Sequence, residues 1–254
     1  MRVLNKWIGI ILLLLMYFAI SAFLFMLPLN ATKKRNYAIQ TTSLFARYIL
    51  SVLGVRVHLK NRERLHTKNG CLIISNHVSY VDVLVLSSLI PSVFITSVEL
   101  KNTALLGTIA KCSGSIFIER RKATGLKKEI EWITAVLKDG FPVVLFPEGT
   151  TSNGDRVMHF KNSLFDAAVI TQVNVLPICI RYTKIDNKRL TPQTRDAVFY
   201  YGGIAFSEHV PRLLLTKSID VDVIPLRTIN VHTHLSRKDL ATMTHKAIST
   251  AFNE

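Results

Sequence analysis

The chain of 254 residues has room for one membrane anchor and one globular domain of ordinary size, and a second catalytic domain is not expected. Its 32 Lys and Arg outweigh 17 Asp and Glu, and the net charge of +15 requires an anionic partner: nucleic acid, an anionic membrane surface or a phosphorylated substrate. Three cysteines, Cys71, Cys112 and Cys179, are too few and too widely spaced for a disulfide framework and read as reduced core thiols facing a reducing compartment.

The first segment narrows the choice of partner. Positions 7–32 hold no charged residue, and 8–29 are almost continuously apolar. As a helix this stretch would run roughly 39 Å, enough for a hydrocarbon core of about 30 Å, so residues 1–35 are expected to form a membrane anchor. A cleaved signal peptide competes with that reading, but the run exceeds the usual apolar core of about 7–15 residues and no clear small-x-small cleavage site follows. Arg2 and Lys6 precede the run, and Lys33, Lys34, Arg35 and Arg47 follow it. The positive-inside rule therefore leans only weakly towards a body on the cytoplasmic side, in the same direction as the thiols. The expected location is the membrane, single-pass or monotopic. Residues 36–54 carry Leu44, Phe45, Tyr48, Ile49 and Val52 at helical spacing, a helix that either lies along the membrane interface or packs against the core.

Residues 55–254 are expected to form the domain proper. Strands are predicted at 55–59, 71–75, 93–96, 115–118, 143–146, 173–181, 197–206 and 221–224, and helices at 80–90, 103–112, 126–138 and 163–171. This alternation predicts an α/β fold, a central mostly parallel or mixed sheet flanked by helices, with sites at the carboxyl ends of strands. Residues 186–196 read as a surface loop. Ser236-Arg-Lys-Asp has the form of a capping box and opens a last helix running to about residue 252.

Three segments could carry chemistry. Ser75-Asn76-His77-Val78-Ser79-Tyr80-Val81-Asp82 follows a buried strand and opens an apolar helix, which puts His77 in a strand-to-helix loop at the sheet's carboxyl edge. If Asp82 folds back from the first helical turn, its carboxylate accepts the Nδ1 proton and leaves Nε2 free to take a proton from an alcohol. The same residues also fit a plain capping box, Ser79 with Asp82, around a solvated histidine. Phe146-Pro147-Glu148-Gly149-Thr150-Thr151-Ser152 likewise ends a buried strand and turns at Gly149, exposing Glu148 at the same edge. The strand 115–118 delivers Arg120, Arg121 and Lys122 to its carboxyl end, where guanidinium groups can hold a phosphate, although such a run taken alone is more often a solvated turn.

Together these segments resemble the conserved blocks of the glycerolipid acyltransferase family, typified by 1-acylglycerol-3-phosphate acyltransferases. The Asn-His-x4-Asp block is matched by Asn76, His77 and Asp82, and Gly-x-x-Phe-Ile-x-Arg by Gly114, Phe117, Ile118 and Arg120. Phe-Pro-Glu-Gly-Thr is matched by Phe146 through Thr150, and an apolar strand with a central proline by Val175-Leu176-Pro177-Ile178. All four stand in the family's order. The resemblance implies a membrane O-acyltransferase that moves a fatty acyl group from acyl-CoA or acyl carrier protein to the free hydroxyl of a lysophospholipid, foremost 1-acylglycerol-3-phosphate. It implies His77 as general base oriented by Asp82, and an acceptor site drawn from Asn76, Gly114, Phe117, Arg120, Arg121, Glu148, Gly149, Thr150, Lys161 and Pro177. No metal and no cofactor beyond the acyl donor is implied.

Two positions depart from the family pattern. Thr151 stands where many members have Arg, and Phe160-Lys161-Asn162-Ser163 stands where Phe-Lys-x-Gly is frequent. Either Lys161 and Arg121 compensate, or the acceptor carries another head group, as in lysophosphatidylcholine, lysophosphatidylethanolamine or lyso-ornithine lipid. A nucleic-acid binder would explain the charge but not the anchor, and the chain lacks aromatic-basic interleaving, so no nucleic-acid partner is expected. A non-catalytic lipid-binding protein would share anchor, basic surface and pocket, yet has no use for His77 and Asp82. Ser79 stands in no nucleophile motif, and His232 and His234 lack a third metal ligand at suitable spacing.

Overall fold

The computed structural model describes residues 1–254 except His66, Lys68, Asn69, 120–124, His232 and Thr233. Two long helices open the chain, α1 (Arg2–Met26) and α2 (Ala31–Leu53). Asn30 caps α2 by accepting the Lys33 N–H. Gly54 ends the helix at φ 81°, where a Cβ would meet the Lys217 carbonyl. There follow β1 (Val55–Leu59), β2 (Leu72–Ser75), α3 (Val81–Leu89), β3 (Val93–Ser97), α4 (Val98–Lys101), α5 (Ala104–Cys112), β4 (Ile116–Ile118) and α6 (Leu126–Lys138). The chain closes with β5 (Val143–Leu145), α7 (Asp166–Thr171), β6 (Val175–Ile185), β7 (Lys188–Arg189), α8 (Phe206–Leu215), β8 (Ile219–Pro225) and α9 (Arg237–Asn253).

One sheet runs in the order β1-β8-β6-β2-β5-β3-β4, with β7 attached to the end of β6. Strands β6, β2, β5, β3 and β4 are parallel, while β8 is antiparallel to β6 and parallel to β1. The sheet is thus mixed and the class α/β, as the alternating pattern predicts. Its centre is apolar on both faces because helices cover both. Leu72 and Ile74 of β2 join one core layer with Ile133, Phe165 and Ile248, while Ile73 joins the other with Leu50, Val85 and Leu214.

Three sequence expectations change. Residues 197–206 are not a strand: Arg195–Ala197 is a 3₁₀ turn, Gly202 and Gly203 take φ 70° and 79°, and Phe206 begins α8. The apolar run there is buried packing, with Val198 and Phe199 in the core, and Pro211 in the middle of α8 disguises that helix in the sequence. Within 186–196, Asp186 and Asn187 hold φ 53° and 63° and fold β6 back into β7, the geometry of a two-residue hairpin. The boundary expected after residue 35 falls inside α2. This helix packs against the core through Ile39, Phe45, Leu50 and Leu53 and leaves Tyr37, Leu44 and Tyr48 exposed.

Helix α1 is long and apolar enough to cross a membrane, and it lies antiparallel along α2. Three ties fix it there: Lys6 Nζ donates to the Leu53 and Thr216 carbonyls (2.7 and 2.8 Å), Tyr17 pairs with the Thr42 hydroxyl (3.0 Å), and Lys34 Nζ donates to the Phe25 carbonyl (2.9 Å). Its outer face leaves Leu4, Ile8, Ile11, Leu12, Leu15 and Phe23 exposed.

The capping box of α9 is present, Ser236 Oγ accepting the Asp239 N–H at 3.2 Å and Asp239 accepting the Ser236 N–H at 3.0 Å. Ser236→Ala should cost about 1 kcal/mol and lower Tm by about 2–4 °C in calorimetry. An unchanged Tm would mean that the packing of Leu240 and Ile248 alone holds the helix.

Candidate active site

Strands β2 and β5 run parallel with Ile74 opposite Leu145, so the segments leaving them emerge side by side. The His77 ring stacks on Phe146, centroids 4.0 Å apart and planes 14° from parallel. His77 Nδ1 lies 2.9 Å from Asp82 Oδ2. Asp82, in the first turn of α3, is fully buried; Oδ2 also accepts the Val78 and Ser79 N–H groups (2.8 and 2.9 Å), and Oδ1 accepts the Tyr182 hydroxyl (2.7 Å). A carboxylate so supplied with donors acts as acceptor only, so Nδ1 carries the imidazole hydrogen and Nε2 presents its lone pair. Among the described residues nothing hydrogen-bonds Nε2. The capping box expected of Ser79 and Asp82 does not form: Tyr80 is the N-cap of α3 without a side-chain cap, and the Ser79 hydroxyl turns to the Val198 carbonyl, while Asp82 holds the loop through its own carboxylate.

The His77 loop is clamped on every side. Asn76 donates its side-chain N–H to the Ile180 carbonyl and accepts the Ile180 N–H, both at 2.8 Å. Ser79 Oγ donates to the Val198 carbonyl (2.6 Å), and the Tyr200 N–H to that of Val78 (2.9 Å). Tyr80 meets His209 Nδ1 at 3.0 Å, while His209 Nε2 lies 3.0 Å from the Phe199 carbonyl. That carbonyl requires the hydrogen on Nε2, so the tyrosine donates to Nδ1. Glu148, also buried, accepts the His77 N–H with Oε1 (2.7 Å) and the Met158 N–H with Oε2 (3.0 Å). Burial pushes its pKa up to about 7, against the two amide donors that favour the charged form.

Several residues expected to bind the acceptor have partners within the fold. Asn76 has both polar ends committed to β6, and Glu148 has both oxygens committed to backbone, so each ties loops together. Pro177 lies inside the sheet, paired with Ile74, its carbonyl accepting the Leu226 N–H (2.9 Å). Gly114, at φ 73°, turns the chain at the amino end of β4 beside Arg35 and Ala38, on the sheet edge opposite His77. Phe117 sits in β4, three strands from β2, with Lys101 Nζ 5.6 Å from its ring centroid. Gly149 and Lys161 do meet at the catalytic edge. Gly149 takes φ 76°, and a Cβ on it would stand 3.1 Å from Lys161 Nζ. Thr150 and Lys161 are exposed there. Arg120, Arg121 and His232 lie outside the described residues. Sequence reasoning misses Tyr182, Tyr200 and His209. The expected strand stops at residue 181, and only the sheet register brings the next side chain under Asp82.

The family profile for acyltransferases matches residues 56–181. A lyso-ornithine lipid O-acyltransferase of Rhizobium meliloti is 34% identical over 75% of this chain and 67% of its own, and one of Brucella abortus is 30% identical over 86% and 82%. The chain belongs to the acyltransferase family. A 1-acyl-sn-glycerol-3-phosphate acyltransferase of Neisseria meningitidis is 32% identical over 56% of each chain. The crystal structure of the 1-acyl-sn-glycerophosphate acyltransferase of Thermotoga maritima shares the fold, with TM-score 0.71 over 99% of this chain and 93% of that one at 18% identity. As a member of this family the chain is an O-acyltransferase acting on lysolipids.

A raised carboxyl pKa means that the folded acyltransferase binds this proton more tightly than the unfolded chain does. The stability that Glu148 contributes is full below its ordinary 4.5 and is lost as pH rises to about 7. The Tm difference between wild type and Glu148→Gln should therefore narrow across that window. A difference independent of pH would mean that Glu148 keeps one protonation state throughout.

Proposed function

We propose that this acyltransferase moves a fatty acyl group from an acyl thioester, of coenzyme A or acyl carrier protein, to the free hydroxyl of a lyso-ornithine lipid, with His77 as general base. The observation that carries the reaction is the His77 Nδ1 contact to buried Asp82 at 2.9 Å, which leaves Nε2 presented at the sheet edge. An alcohol's pKa lies roughly where that of water does, near 15.7, against about 6.5 for an imidazole, so prior deprotonation would cost about 12 kcal/mol. The proton therefore passes to Nε2 as the oxygen attacks the thioester carbonyl. Collapse of the tetrahedral intermediate expels the thiolate, and the imidazolium returns the proton to sulfur. Asp82 holds the imidazolium, and no covalent acyl-enzyme forms.

Two observations support the ornithine acceptor. The relatives matched over most of their length act, by name, on lyso-ornithine lipid. Thr151 also removes a cation from the Phe-Pro-Glu-Gly-Thr turn, where an ornithine head group, one carboxylate and one ammonium, demands less positive charge than a phosphate monoester. The second reading, 1-acylglycerol-3-phosphate, is favoured by Lys161 over Gly149 and by Arg120 and Arg121 in the sequence.

Membrane attachment follows from the exposed apolar face of α1. A crossing would draw α2 with it and place exposed Asn36, Gln40 and Arg47 in hydrocarbon, at a cost of several kcal/mol per unsatisfied group. An in-plane hairpin avoids that cost, so the arrangement is monotopic, with the body on the cytoplasmic side.

Membranes carrying wild type or His77→Ala, given labelled acyl-CoA and a panel of lyso-ornithine lipid, lysophosphatidic acid, lysophosphatidylcholine and lysophosphatidylethanolamine, should yield the ornithine product. The variant should lose it by about 10²-fold or more. Product from lysophosphatidic acid alone would establish the second reading. No product with either acyl-CoA or acyl carrier protein would favour a non-catalytic lipid binder. In a Cys112→Ser background, Pro28→Cys and Lys217→Cys should react with an impermeant thiol reagent from the same side of sealed vesicles. Reaction from opposite sides would mean that α1 crosses.

A further inference from the structure

Tyr182 points its hydroxyl at the one Asp82 oxygen that the His77 loop leaves unserved. Imidazole, Val78 N–H and Ser79 N–H all converge on Oδ2, whereas among the described residues Oδ1 accepts only the Tyr182 hydroxyl, at 2.7 Å. Both side chains are buried. Burial, and then the charge of Asp82, push the phenol pKa well above its ordinary value, so the group stays a donor across the working range. Tyr182 leaves β6 on the same face as Ile180, whose backbone is gripped by Asn76. One strand therefore grips the loop through backbone at one point and through the carboxylate at the next.

We propose that Tyr182 is a positioning residue of the catalytic machinery, acting through Asp82 to set how strongly the carboxylate holds the His77 imidazole. This role rests on the general-base reading of His77 and on charge distribution. Each donor to a carboxylate withdraws part of its negative charge from the others. With the phenol in place, Asp82 divides its charge between Oδ1 and Oδ2; without it, Oδ1 is bare in the core and more charge reaches the imidazole. Loss of the phenol hydroxyl should thus make His77 hold its proton to higher pH, while leaving Asp82 free to turn about Oδ2. Among the described residues the ionisable and charged groups around this pair are Glu148 from the β5 loop, Tyr80 from the helix entry and Tyr182 itself from β6; Lys161 lies beyond, over Gly149.

The test titrates the imidazole by NMR in wild type, Tyr182→Phe and Asn76→Ala, with the His77 signal assigned by its loss in His77→Gln. Tyr182→Phe should move the His77 midpoint to higher pH. Where the acyl transfer is observed, it should also lower kcat by about tenfold, leave KM for donor and acceptor within about twofold, and carry the acid limb of the rate profile upward. Asn76→Ala, which removes a structural tie to the same strand but no donor to Asp82, should lower Tm without moving the midpoint. Should Tyr182→Phe fail to fold, 3-fluorotyrosine placed at position 182, a stronger donor, must move the midpoint the other way. An unmoved midpoint in the folded variant, or equal movement in Asn76→Ala, overturns the proposal whether or not transfer has been seen. A His77→Ala chain that still transfers acyl groups would instead overturn the general-base reading.

Discussion

The Asp82 carboxylate, buried without solvent contact, is the constraint on which this edge of the sheet depends. Such a group is tolerated in a protein core only when surrounded by donors, and here they come from the loop after β2 and from β6. Two backbone amides force the loop after β2 into a tight turn, an imidazole is drawn down against α3, and a phenol arrives from β6. Satisfying one charge therefore fixes a loop, a helix start and a strand against one another. The orientation of His77 is a consequence of that demand, and Phe146 stacked on the ring leaves it little freedom to turn away.

The same helix connects the site to the lipid face. Asp82 sits in the first turn of α3, α3 packs on α2, and α2 carries α1 along its length. The apolar stripe of α1 is larger than a soluble surface ordinarily leaves bare, and the net charge of +15 suits an anionic leaflet. A path of packed helices thus runs from the exposed apolar face of α1 to the carboxylate that holds the His77 imidazole.

Much of this was legible in the sequence, for reasons that differ by element. The strands β2 to β6 announce themselves as short apolar runs and β1 by alternation, and the His77–Asp82 pair is local, five positions apart, so its geometry follows from a strand feeding a helix. Residues 197–206 mislead because aromatic side chains covering a core have the same composition as a strand. Tyr182 is invisible for another reason: its role depends on which strand lies beside β2, a fact of topology that one-dimensional pattern does not hold. Asn76, Glu148 and Pro177 illustrate a third limit, since a motif marks a residue without saying whether it faces the ligand or the scaffold. Asn76 and Glu148 are polar residues at a sheet edge, and only the partners show that their hydrogen bonds are already made.

Glu148 and Asp82 then divide the electrostatics of the edge between them. Both are buried carboxyls, but among the described residues Asp82 draws on two amides, an imidazole and a phenol, whereas Glu148 draws on two amides. Burial, with the charge of Asp82 adding to it, brings Glu148 to titrate at about 7. A protonated carboxyl oxygen is a poorer acceptor, so taking up that proton weakens one of the ties, to His77 N–H or to Met158 N–H. The loop that carries the base is therefore held most firmly when Glu148 is charged, although the charge itself costs stability. The fold accepts a strained carboxylate in its core because the two backbone amides it orders belong to the loops that form the site.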